Sequence, residues 1–269
     1  MNSLRATLLV FASAMLLIPL NAASAATAPA ISTTFLQKAL HMSGPIKILK
    51  TEPGPAGLTA ALISVGGNKG IVWVIGNDSA VVLGDVRDAK GENLTKQMAI
   101  RMGLMPKPIK PAAVAKAVTG LNTFVIGSKG PEITAFVDPN CIFCHKLYDQ
   151  AQPLLKAGKL RLRIVMAGFL KPTSVAKAAA ILMQADHAQA LATDETKFDV
   201  KHEEGGIEPA KAIPSAIKRD IKANTHLLAE SGQEATPTLL YQNGAGQWQV
   251  VHGMPDHGFK AVLAEMKKK

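Results

Sequence analysis

The hydrophobic positions of this chain change their period about halfway along it. Through the first part, short apolar runs alternate with turn residues. Ile31 to Met42 repeats its apolar positions at helical spacing, with Ser32, Thr33 or Thr34 as N-cap and Gly44-Pro45 as the stop. Ile46 to Leu49, Leu58 to Val65, Ile71 to Ile75 and Ala80 to Leu83 follow, separated by Gly, Pro, Asn and Asp, which predicts an antiparallel meander. Gly66-Gly67-Asn68-Lys69-Gly70 reads as a hairpin turn rather than a phosphate loop, because no strand-to-helix context surrounds it and no Ser or Thr follows the lysine. Asn93 to Met102 is helical in pattern and ends at Gly103. Pro106, Pro108 and Pro111 then break any continuous element, making 105 to 111 a linker ahead of a short helix from Ala112 to Leu121.

From Thr123 onward, strands alternate with helices. Phe124 to Ile126, Ile133 to Asp138, an amphipathic helix and Leu160 to Met166 make a β-α-β unit. Val175 to Gln184 and Ala216 to Glu230 are alanine-rich helices joined by the polar segment 186 to 214, which together predict a helical insertion. Thr238 to Tyr241 and Trp248 to His252 are strands around a Gly-rich turn, and Asp256 to Lys267 closes as a helix.

The chain's two cysteines lie inside this second pattern, in Cys141-Ile142-Phe143-Cys144. A strand feeding Cys-X-X-Cys at the start of a helix is the thioredoxin redox arrangement. Unpaired N–H groups and the helix dipole favour a thiolate on the first cysteine, so Cys141 is the candidate nucleophile. Cys144, one turn on, can attack a mixed disulfide on Cys141 and is the candidate resolving thiol. With His145 the same residues also spell Cys-X-X-Cys-His, a c-type haem attachment site with His145 as axial ligand. The flanking strand and helix favour the dithiol. Zinc is weaker, since Cys141, Cys144 and His145 lack a fourth ligand of matching spacing. Pro237, at the start of an apolar strand, reads either as an edge proline or as a cis-proline facing the dithiol, beside which Thr236 could pair with an extended peptide. Asp138 reads as a turn or capping residue before a helix more readily than as a proton carrier. Tyr148 reads as core or cleft wall, and His252 and His257 as surface or core residues without metal-site spacing.

Residues 1 to 25 have the pattern of a secretory leader: Arg5, the apolar segment Ala6 to Leu20, and the small-residue site Ala23-Ser24-Ala25, with cleavage expected after Ala25. Bacterial export of this kind leads to the periplasm, where disulfides persist. The remaining 269 − 25 = 244 residues suffice for two domains. The formal net charge of +10 falls to +9 when Arg5 leaves with the leader. That excess favours acidic partners, but it is spread thinly and no basic stripe is interleaved with aromatics, so nucleic-acid binding is not expected.

Taken together, these features resemble the periplasmic thiol:disulfide interchange proteins of the DsbC and DsbG type. The DsbG likeness is the stronger, through Asp138-Pro139-Asn140-Cys141, Phe169-Leu170-Lys171-Pro172, Ala178-Ala179-Ala180-Ile181-Leu182 and Gly253-Met254-Pro255-Asp256, and through the lack of a second cysteine pair. The resemblance implies an α+β chain: leader 1–25, cystatin-like N-terminal dimerisation domain 26–104, linker and helix 105–121, and thioredoxin-like catalytic domain 122–269 with its helical insertion at about 168–231. It implies a V-shaped homodimer with a cleft for cysteine-containing periplasmic proteins. Cys141 would attack disulfides or sulfenic acids, Cys144 would resolve, and Thr236 and Pro237 would line the site, beside the motif neighbours Ile142, Phe143 and His145. It also implies a redox-active Cys141-Cys144 disulfide with no other cofactor and no metal, kept reduced by the inner-membrane reductase DsbD. Ile142 stands where DsbG-like motifs usually carry proline. The alternatives are a c-type cytochrome, and a chaperone-like binder whose cleft matters more than its thiols.

Overall fold

The computed structural model describes residues 30–267, so the leader and the last two lysines lie outside the described residues. The chain divides into two compact units at Met98/Ala99, ahead of the proline-rich segment 105–111.

The first unit is built on a four-stranded antiparallel sheet in the order β1-β2-β3-β4: β1 Ile46–Pro53, β2 Leu58–Val65, β3 Asn68–Ile75 and β4 Ala80–Val82. The meander expected from the turn residues is therefore present. Gly66 and Gly67 form its tight β2–β3 turn at φ 57° and 90°, a backbone region in which only glycine is at ease. β1 runs past Leu49 to Pro53, because a register shift between Ile48 and Lys50 absorbs the exposed Leu49 and lets pairing resume. Helix α1, Thr33–Ala39, is shorter than the apolar pattern suggested. Ser32 caps it by accepting the Phe35 N–H, and Leu36 packs with Ile46, Ala61, Ile63, Val72 and Val74 on one sheet face. Trp73, next to Val72 and Val74 on β3, faces the other way and donates Nε1–H to Thr95 Oγ1 at 2.8 Å on helix α2, Leu94–Arg101.

The second unit holds a five-stranded sheet in the order β5-β7-β6-β8-β9: β5 Phe124–Ile126, β6 Glu132–Val137, β7 Arg161–Met166, β8 Thr238–Gln242 and β9 Trp248–His252. β6 and β7 are parallel and the other pairs antiparallel. Alternation divides the central strands between two cores. Ile133, Ala135, Val137, Leu162, Ile164, Met166, Leu239 and Tyr241 belong to one core, together with residues of α4 (Ile142–Lys156), α5 (Ser174–Leu182), α6 (His187–Thr196) and α8 (Gly258–Glu265). Phe136, Val165 and Leu240 belong to the other, with α3 (Pro111–Val118) and α7 (Ser215–Glu230). Helices on both faces explain why the central strands read as unbroken apolar runs. This is a thioredoxin-like α+β layer with a helical insertion between β7 and β8. Within the segment read as polar, α6 is an additional helix, capped by Asp186, which accepts the Gln189 N–H. Its fully buried apolar residues are Ala190 and Leu191, with Ala188 partly buried beside them, too little to stand out in sequence.

Candidate active site

β6 ends at Val137 and the chain turns through Asp138, Pro139 and Asn140 into α4, with Cys141 as the helix N-cap. Asp138 fixes that turn. Its Oδ1 accepts from Asn140 N (2.9 Å) and Ser174 Oγ (2.7 Å), and its Oδ2 from Phe169 N (2.8 Å) and Leu170 N (3.1 Å). Both carboxylate oxygens are thus spent on holding the strand-helix turn, the structural of the two roles weighed for this residue. Asn140 adds a second tie, donating to Thr173 Oγ1 and Ser174 Oγ and accepting from Gly205 N at 3.0 Å. Gly205 must be glycine for a packing reason: a Cβ there would overlap the Pro139 carbonyl and the Asp194 carboxylate.

In this frame the Cys141 sulfur accepts the Cys144 N–H at 3.2 Å and donates its own hydrogen to the Thr236 carbonyl at 3.3 Å. Both cysteines are reduced and buried, Cys141 at 4% exposure and Cys144 at 1%. The Cys141 thiol is lowered to about 7. Cys144's side chain is the largest cause, Thr236's side chain and the N–H groups of Cys144 and Phe143 contribute, and burial works against them. Burial, and then the neighbouring Cys141 sulfur, push Cys144 the opposite way, well above an ordinary thiol. The two sulfurs of one motif therefore differ in kind: one is ready as a thiolate near neutral pH, the other holds its proton.

Thr236 and Pro237 are joined by a cis peptide bond and both are buried beside the dithiol. This is the cis-proline alternative and not the plain edge proline. The Thr236 hydroxyl is buried without a hydrogen-bond partner, although it lies near enough to help lower Cys141. Ile142 is half-buried, while Phe143 is exposed, with Lys146 Nζ 5.2 Å from its ring centroid. Tyr148 is half-buried against the core, and burial, then the charge of Glu195, raise its phenol.

His145 is held from several sides. Its Nδ1 lies 3.1 Å from Glu195 Oε2, its Nε2 lies 3.6 Å from Asp149 Oδ2, and its ring stacks on Phe198 with centroids 4.6 Å apart. The haem reading therefore finds no support, since both cysteines are buried and Glu195 and Asp149 flank the two ring nitrogens of the required axial ligand. Glu195 and Asp194 are acidic site neighbours that sequence reasoning missed. Both are buried on α6, and burial is the main cause that raises Glu195 to about 9 and Asp194 to about 7. Among the described residues no group of three or more His, Cys, Asp or Glu is placed to hold a metal ion.

No family model matches the chain. It is 30% identical over 194 residues to the thiol:disulfide interchange protein DsbG of Pseudomonas aeruginosa, covering 70% of this chain and 72% of that protein. It is 26% identical over 228 residues to the Escherichia coli protein of the same name, covering 81% and 86%. Among solved structures, a periplasmic thioredoxin-like protein from Salmonella enterica matches with a TM-score of 0.46 and 19% identity, over 60% of this chain and 99% of that one. Helicobacter pylori DsbG matches with a TM-score of 0.36 and 14% identity, over 77% and 97%. A reduced, asymmetric Cys-X-X-Cys at the head of a helix is the equipment that thiol-disulfide exchange needs, and this chain belongs to the DsbG family of thiol:disulfide interchange proteins.

Proposed function

We propose that this protein is a periplasmic enzyme that reduces or isomerises protein disulfides and reduces cysteine sulfenic acids, with Cys141 as nucleophile and Cys144 as resolving thiol. The observation that carries this reading is the asymmetry of the pair: a Cys141 sulfur that accepts a helix N-terminal N–H at 3.2 Å and titrates at about 7, beside a sealed, protonated Cys144. The Cys141 thiolate attacks one sulfur of a substrate disulfide, and the other substrate sulfur leaves as a thiolate. In isomerisation, a substrate thiolate later displaces Cys141 and forms a different substrate disulfide. In reduction, Cys144 gives up its proton and attacks the Cys141 sulfur; the Cys141–Cys144 bond forms and the second substrate sulfur departs as a thiol. With a sulfenic acid, the first attack expels hydroxide, which takes up a proton and leaves as water. These steps need no cofactor beyond the dithiol.

Thr236 and Pro237 form the wall against which a substrate segment lies. Proline offers no N–H, and the exposed Phe143 ring adds apolar contact. The leader pattern and the DsbG relatives support a periplasmic location. The resemblance to the DsbG type further implies a homodimer joined through the N-terminal unit and an inner-membrane reductase of the DsbD kind as electron donor. The test is a trap: Cys144→Ala is exported with its own leader, and whatever is covalently held on Cys141 is identified by mass spectrometry. Partners rich in cysteine are expected for disulfide work and partners with one cysteine for sulfenic-acid rescue. A variant that captures nothing, while aggregation of unfolded proteins is still suppressed by a form lacking both cysteines, would instead make it a chaperone-like binder.

A further inference from the structure

Among the described residues, Glu195 is a buried ionisable group that thiol exchange leaves unused. Glu195 is 4% exposed on α6, and its Oε2 lies 3.1 Å from Nδ1 of His145, the residue that follows Cys144. His145 belongs to the first turn of α4, where its N–H donates to the Cys141 carbonyl at 3.0 Å, and its ring is fixed by the Phe198 stack. At that separation the carboxyl and the imidazole share a single hydrogen, donated by whichever holds it. The charged or titratable groups around them are Cys141 at the N-cap of α4, Tyr148 and Asp149 from α4, and Asp194 from α6 itself, with Lys177, Asp138 and Glu204 acting on Asp194.

We propose that Glu195 and His145 form a one-proton unit coupled to the redox state of the dithiol, holding its proton more tightly while Cys141 is a thiolate and yielding it when Cys141 enters a disulfide. This makes Glu195 a positioning residue acting through His145, and it rests on Cys141 being the nucleophile. The physical cause is that a buried carboxylate and a nearby thiolate oppose one another, and such coupling is reciprocal. Burial first, and then the charges of Asp194, Cys141 and Asp149, raise Glu195. In full reduction, the Cys141 thiolate and the Cys144 thiol give two electrons to the substrate disulfide and become a disulfide. Cys144's proton goes to one departing substrate thiolate, and the unit releases its proton to solvent while the other departing thiolate takes one up from solvent. Charge and protons balance without any further reactant.

The experiment follows the Glu195 carboxyl carbon by NMR in the ¹³C-labelled full chain, reduced and oxidised, across pH, with the resonance assigned by its loss in Glu195→Gln and its displacement in Glu195→Asp. The expected result is a titration on the alkaline side in the reduced protein that moves down by about one pH unit or more on oxidation. Wild type should also show a break in the pH dependence of its equilibrium with glutathione between those two midpoints, absent in Glu195→Gln. An unchanged midpoint on oxidation, or titration in the ordinary carboxylate range in both states, overturns the proposal. Alkylation mapped by mass spectrometry separates the two levels. If Cys141 is not the reactive thiol, the nucleophile assignment fails and this inference with it. If Cys141 reacts but Glu195 ignores the redox state, the inference alone fails.

Discussion

Asp138 carries more of the site's geometry than its charge suggests. Replacing it with alanine removes the acceptor for three backbone N–H groups and the Ser174 hydroxyl. The expected cost is about 3 kcal/mol in urea unfolding, since buried donors left unpaired each cost roughly 1–3 kcal/mol. Glu195 has the opposite sign. In the unfolded chain its carboxyl ionises near 4.5, but in the fold it keeps its proton to about 9, so its contribution to stability falls as pH rises between those values. Glu195→Gln is therefore expected to be increasingly more stable than wild type from pH 5 to 9 in chemical denaturation, with the difference flat outside that window. Cys141 works the other way: lowered to about 7 from 9.0, it adds stability to the reduced fold above that range and loses it as pH falls through 7. The cysteines were legible because a contiguous motif carries their chemistry, while Pro237 stayed open between an edge proline and a cis-proline because its meaning depends on a dithiol 93 positions away that only the fold brings beside it. Glu195 was not legible, because its meaning depends on a histidine 50 positions away that only tertiary folding brings near.

Among the elements, strands bounded by strong turn residues and helices with long apolar stripes could be read directly. Gly66-Gly67 announces its hairpin because both turn positions need positive φ. α6 could not be read, because its buried residues include Asp194 and Glu195, whose burial depends on partners supplied by Ile207 and His145. The start of α2 offers a test of how a small polar side chain secures an element. Thr95 Oγ1 accepts from Trp73 Nε1 at 2.8 Å and from Val86 N at 2.9 Å. Thr95→Val leaves both donors without that acceptor, and a loss of about 2 kcal/mol is expected, read by the urea midpoint and by a shift in Trp73 emission.

For the molecule as a whole, the dithiol, the cis-proline and both cores that support them lie in the second unit. The DsbG family assignment joins that chemistry to a chain whose first unit has a core of its own. If the first unit supplies the proposed dimer contact, a chain beginning at Ala99 should keep the thiol reactivity of the parent but run as a monomer in light scattering. An unchanged dimer would move the interface to the second unit. Which sulfur is the thiolate decides the chemistry of the site, and differential alkylation of the reduced full-length protein, mapped by mass spectrometry across pH 5 to 10, measures it. The expected result is modification of Cys141 with a midpoint near 7 and protection of Cys144 until the protein is unfolded. Modification of Cys144 first, or a Cys141 midpoint at the 9.0 of an ordinary thiol, would contradict the account.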